Sequence, residues 1–190
     1  MRAGATWRGW ARAFRNGESG VAAVEFALIL PVMLMLYIGM VEGSALISMD
    51  RKVQTVSGAV GDLVARSNGA LSTSTLDNYV KIAAGIMTPY PADELVQIVT
   101  QVKVDTAGKA TVDWSRRYVG EAAQSSGAHV KDAVFALPAE VVAIAKGEYV
   151  IVTESGLAYS PLYGIVFDSA VNLYRENFFM PRFREQIKLN

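Results

Sequence analysis

Between positions 21 and 41 the chain is apolar at almost every residue and carries one charge, Glu25. Twenty-one residues rising about 1.5 Å each give about 31 Å of helix, enough to cross a hydrocarbon core of about 30 Å. Beyond Val41 the pattern turns from uniformly apolar to striped. Ala45, Met49, Val53, Val56, Val60 and Leu63 recur at steps of four or three, while Asp50, Arg51, Lys52, Gln54 and Asp62 fall mostly off that stripe. The periodicity predicts one helix from about Ser19 to Arg66, on the order of 70 Å long, membrane-spanning over 21–41 and amphipathic over 42–66. Ser67-Asn68-Gly69 supplies the turn chemistry that ends it.

A second helix is expected over 73–87, capped by Ser72 or Ser74 and closed before Pro89. Residues 95–104 and 109–118 alternate apolar and polar side chains around Asp105-Thr106-Ala107-Gly108-Lys109, which reads as a β-hairpin. A small-residue loop follows over 120–127, and Leu137-Pro138-Ala139-Glu140 opens a short helical turn running to Ala145. Gly147 releases a strand over 148–159 that Pro161 stops, and 170–179 is read as a further strand. The predicted class is α+β, a long amino-terminal helix followed by a small antiparallel sheet with short helices. It divides as 1–20 basic leader, 21–41 span, 42–66 amphipathic continuation and 67–190 folded domain.

Charge changes this picture by giving it a direction. Arg2, Arg8, Arg12 and Arg15 against Glu18 give the first twenty residues +3, so in a neutral chain the remainder carries −3. By the positive-inside rule the amino terminus faces the cytoplasm and the folded domain the periplasm or exterior. No basic patch remains outside the arm, which speaks against nucleic-acid binding. The absence of cysteine excludes a disulfide framework and thiolate metal sites. An ordinary secretory signal is the competing reading of this start, but its apolar region spans about 7–15 residues and ends in a small-residue cleavage site, for which Gly43-Ser44-Ala45 is the nearest match.

A carboxylate inside an apolar span costs at least about 2.5–3.5 kcal/mol at the bilayer centre, which makes Glu25 the first functional candidate. The alternative is that Glu25, one turn in, snorkels to the headgroups. Pro31 removes an amide donor and leaves the Ala27 carbonyl without its usual partner, predicting a kink or a short non-helical stretch. That feature serves either a helix that bends on packing or no purpose beyond tolerance. Catalytic constellations are missing. His129 is the single histidine and is read as a lone surface residue, while Glu154-Ser155-Gly156 lacks the frame of a nucleophile elbow. Ala107-Gly108-Lys109 is turn chemistry rather than a phosphate loop. Trp114 with Arg116 and Arg117 reads as core or as a binding patch. Tyr159, Tyr163, Phe167, Tyr174, Phe178 and Phe179 read as sheet packing with an exposed contact patch. The expectation is a non-enzyme without metal or cofactor.

The block Gly20-x-x-x-x-Glu25-Phe26 with Pro31 inside the span and Gly39-x-x-Glu42 at its exit resembles type IV prepilins, and most closely the TadE-like pseudopilins of tight-adherence pilus systems. The Phe179-Met180-Pro181-Arg182 ending adds a weaker likeness. The resemblance implies a pilin-like fold and cleavage between Gly20 and Val21 by a prepilin peptidase. It also implies pairing in the bilayer through Glu25 and Phe26 with sister pseudopilins at an assembly platform. Gly20 read without it is an ordinary flexible junction. The other readings are a type II secretion pseudopilin, an unprocessed single-pass envelope protein that binds a partner, and, weakest, an anchored enzyme.

Overall fold

A computed structural model describes residues 19–161, 164 and 169–190. The arginine arm, Tyr163 and Phe167 therefore lie outside the described residues. Helix α1 runs Ser19–Ala65, 47 residues or about 70 Å, within a residue of the predicted end. It passes through Pro31 without interruption, so the non-helical stretch does not form. One lost donor is a local defect, and helix propagation on both sides is cooperative enough to hold the turn.

From Met49 onward one stripe of α1 is buried: Met49, Val53, Val56, Val60 and Val64. Val64 takes the place that the pattern assigns to Leu63, which is half-buried. Just past the helix the Ser67 N–H reaches the Val64 carbonyl at 2.9 Å, and the chain turns at Gly69 with φ +69°.

Strand β1 (Ala70–Leu71) leads into α2 (Thr73–Ala84), whose first turn is capped by Ser72 Oγ accepting from the Thr75 N–H at 3.1 Å. A 3-10 turn, Gly85–Met87, closes it as expected. Then come β2 (Val96–Val104), β3 (Ala110–Val119), β4 (Ala122–Gln124), α3 (Ala139–Ile144), β5 (Tyr149–Tyr159), β6 (Val171–Phe179) and β7 (Lys188–Leu189). Strands β2 to β6 form one antiparallel sheet in the order β4-β3-β2-β5-β6. The hairpin turn is held by Asp105, whose carboxylate accepts the Lys109 N–H at 2.8 Å, with Gly108 at φ +93°.

Two elements depart from the sequence reading. Part of the small-residue loop is strand β4, because its backbone pairs with the free edge of β3 whatever its side chains are. The chain end forms β7, parallel to β1, a long-range pairing with no local signature.

The sheet buries both faces. On the inner face α1 and α2 pack on Val99, Tyr118, Ile151, Leu157, Tyr159 and Leu173; on the outer face α3 and its flanks cover Val102, Val104, Ala110, Val150 and Val152. A bulge between Gln101 and Val102 places Asp113 as an extra residue in β3. Alternation is thereby reversed midway. Ala110 packs outward, whereas Trp114 and Tyr118, also even-numbered, pack inward.

Several polar contacts set α1 on the sheet. Ser57 Oγ donates to the Thr153 carbonyl at 2.8 Å and Thr153 Oγ1 donates to the Ser57 carbonyl at 2.9 Å, both buried. Asp50 pairs with Arg175 of β6, and Lys52 Nζ donates to the carbonyls of Ile86 and Thr88 at 2.8 and 2.7 Å. The Arg182 N–H reaches the Ala65 carbonyl at 2.8 Å, so the aromatic-Pro-Arg ending closes the carboxyl end of α1.

Gly61 faces the Phe179 ring so closely that a Cβ would stand 2.2 Å from Phe179 Cε2. Gly61→Val is expected to lower stability by about 1–3 kcal/mol in denaturant unfolding of the detergent-solubilised chain. Gly58→Ala, where a Cβ meets nothing within 4 Å, should leave stability unchanged or raise it by up to about 1 kcal/mol.

Candidate functional site

Every residue from Gly20 to Tyr37 is exposed, Leu28 to 71%. Among the described residues Gly20–Ala65 is the one helix long and apolar enough to cross a membrane. Among the described residues nothing covers its first half, which suits it to a second apolar phase such as lipid or other helices. Gly20 lies at the second position of the helix, and a Cβ there would meet nothing within 4 Å. Val21 and Glu25 are four residues apart and share a face, separated by about 6 Å along the axis. Phe26 and Pro31 follow on the same exposed rod. The structure thus places Gly20, Val21, Glu25, Phe26 and Pro31 together on one solvent-accessible helical segment, and gives none of them a partner within the described chain.

The end of the exposed segment is marked by Glu42, only 1% exposed. Its carboxylate accepts the Gly164 N–H at 3.0 Å. Tyr159 lies close by, and burial, the Glu42 charge and Tyr90 together push its phenol up from the ordinary value. In the sequence Glu42 stands out only as one of several charges past the span. Its signal is position: 42, 45, 49 and 53 lie on one stripe, so Glu42 extends the buried face of α1 toward the exposed apolar segment.

A second polar group occupies the outer sheet face. His129 is not a free surface residue, because its Nε2 stands 2.6 Å from Glu154 Oε2 and its ring packs edge-on against Phe135 at 4.9 Å. The side chains are 35% and 11% exposed. In the tautomer that carries a proton on Nε2, that N–H donates to the carboxylate. Glu154 also accepts from the Tyr174 hydroxyl at 2.6 Å, and burial followed by that bond pushes the Tyr174 phenol well up. Ser155 points to the opposite face and is buried, so Glu154-Ser155-Gly156 is a stretch of strand rather than a site.

The tryptophan patch does not assemble as a trio. Trp114 packs against the inner core with Nε1–H donating to the Ile187 carbonyl at 2.7 Å, while Arg117, one residue out of phase with Arg116, projects from the other face. Tyr118, on the Trp114 side, donates to Asp77 Oδ1 at 2.8 Å, and its phenol is pushed up to about 12 by burial first and by Asp77. Of the aromatic ending, Tyr159 is buried, Phe178 and Phe179 are half-buried on opposite faces, and Tyr174 is 53% exposed. Among the described residues no group of three or more histidine, aspartate or glutamate side chains is arranged to hold a metal ion.

Glu176 stands directly across from Glu154. Burial first and the Glu154 charge second raise its carboxyl above the ordinary glutamate range, with His129 acting the other way. A raised folded value means stability that is full below the unfolded pKa and falls as pH rises through the folded one. Glu176→Gln should therefore raise the unfolding temperature at pH 7 by about 1–2 °C and leave it unchanged at pH 4, read by thermal unfolding.

No curated protein and no solved structure matches the chain. A family model does, and its match opens on Gly20, takes in Glu25, Phe26, Pro31 and Glu42, and closes on the buried stripe at Val60. Residues 20–60, the helix that is bare at one end and sheathed by the sheet at the other, match the family described as TadE-like protein, a pilus-associated, pilin-like class.

Proposed function

We propose that this chain is a minor pilin-like subunit of a tight-adherence (Flp-type, type IVb) pilus, cut after Gly20 by a prepilin peptidase. It is assembled with sister pseudopilins at a platform in the inner membrane. The observation that carries this reading is the TadE-like match beginning at Gly20, on a helix whose first half has no cover and a single charge. The amino terminus lies in the cytoplasm and the sheet domain in the periplasm, as the arginine arm directs. The work of the subunit is structural, and neither catalysis nor a cofactor enters it.

The chemistry follows from the helix. Glycine before the cut bond leaves the backbone open to a membrane-level protease, and a Cβ at Gly20 would meet nothing within 4 Å among the described residues, so that position is free to change without refolding. Cleavage gives Val21 an α-amino group about one turn from Glu25. Within one helix the two charges are held apart along the axis. Between helices the ammonium of one subunit meets the carboxylate of another, an attraction of about 4 kcal/mol at 4 Å for an effective dielectric near 20, before desolvation is counted against it. Phe26, exposed beside Glu25, adds apolar contact to the same junction.

Processing and pairing separate experimentally. Amino-terminal sequencing of the membrane-extracted protein should begin at Val21, and Gly20→Arg should block the cut while the chain still inserts. Glu25→Ala should leave insertion and cleavage intact and weaken crosslinking to sister subunits. Glu25→Asp should restore it only partly, because the carboxylate is withdrawn from hydrogen-bond distance. An intact amino-terminal arm in cells with a working peptidase would favour the unprocessed envelope protein instead. Wild-type crosslinking by Glu25→Ala would reduce the carboxylate to a snorkelling anchor.

A further inference from the structure

We propose that the cavity at the foot of the domain, between α1 and the end of β5, is a binding site for a phospholipid headgroup that bears a primary ammonium. The cavity encloses about 560 Å³, within the range of about 300–1,000 Å³ that small-ligand sites occupy. Its walls are mainly apolar, with Met49 of α1 and Leu157 of β5 among them, and Tyr90 and Tyr159 line it as well.

Height selects a lipid as the occupant. Ala45 and Met49, which line the cavity, lie four and eight residues beyond Val41, about 6–12 Å above the end of the apolar run. The headgroup layer extends about 5–7 Å above the hydrocarbon on each side. The cavity therefore opens at the level where headgroups end and water begins. This step rests on reading 21–41 as a membrane span.

Charge selects the headgroup. Asp93 and Glu94 stand at the rim, and no lysine, arginine or histidine lines the cavity among the described residues. The Tyr159 hydroxyl lies in the field of both the Glu42 carboxylate and Tyr90, so acceptor oxygens gather at the polar end. Such a site repels an anionic head. A primary ammonium brings three N–H donors to carboxylate and phenol oxygens, each a charge-assisted hydrogen bond, whereas a quaternary ammonium brings none. The two-carbon arm that carries the ammonium rests on the apolar wall, and the lipid phosphate, with the glycerol beyond it, remains outside toward the bilayer surface.

The test is native mass spectrometry of the full chain in detergent, with phosphatidylethanolamine, phosphatidylcholine and phosphatidylglycerol supplied at equal concentration. Phosphatidylethanolamine adducts should exceed each of the others by about tenfold, the worth of one charge-assisted hydrogen bond. The Asp93→Asn, Glu94→Gln double variant should reduce that preference to parity. Ala45→Trp, at a half-buried lining position on α1, should lower adducts of all three lipids. Equal retention of the three lipids by the wild type overturns the proposal, as does a preference that survives both variants. A basic segment of a partner protein as occupant would give that equal retention and counts against it. A carbonate wash distinguishes the failures: a chain stripped from membranes contradicts the span, whereas one that stays embedded without headgroup preference contradicts only the cavity's role.

Discussion

The exchange of hydrogen bonds between Ser57 and Thr153 is the contact on which the architecture turns. Each hydroxyl donates to the other residue's carbonyl in a buried interface, so two side chains satisfy four polar groups at one point. Sliding α1 along the sheet by one residue would strand those groups at a cost of about 1–3 kcal/mol each. Valine contacts alone would not resist such a slip, because Val53, Val56, Val60 and Val64 present nearly the same surface at every turn. Apolar burial holds the helix down, at about 1.5–3 kcal/mol for each fully covered side chain, and the hydroxyl pair says where. The packing of Phe179 on Gly61 then adds a steric stop near the far end of the helix.

One helix thereby answers to two surroundings. Its first half has the composition of a span and no cover, and its second half is the spine of a domain core. The border is a carboxylate. Glu42 is buried with a backbone N–H on its oxygen, where the stripe of α1 first meets the domain. A charge at that point is unfavourable in lipid and tolerable in the domain, which keeps the boundary from drifting toward the membrane.

How far this was legible depended on whether the cause was local. The long helix, α2 with its Ser72 cap, the hairpin around Asp105 and the strands 149–159 and 171–179 follow from periodicity and turn chemistry, and the structure places them within a residue or two. The failures have non-local causes. Strand β7 pairs with β1 across more than a hundred residues, and β4 exists because β3 offers an open edge. The bulge at Asp113 inverts an alternation that reads as unbroken in sequence. His129 appears solitary until folding brings it to Glu154, twenty-five positions away. The residues grouped on the exposed start of α1, by contrast, were legible as a spacing, since Glu25 is conspicuous against its neighbours and Gly20 precedes it by five.

The uninterrupted course of α1 has a mechanical meaning. Ser57 lies 32 residues beyond Glu25 on continuous helix, about 48 Å of rod with no linker. A rod pinned to its sheet by the Ser57–Thr153 exchange behaves as a ruler: a displacement of its exposed foot along the axis displaces the sheet by the same amount. Any offset imposed on the bare end of the helix is thereby reproduced at the domain by stiffness alone.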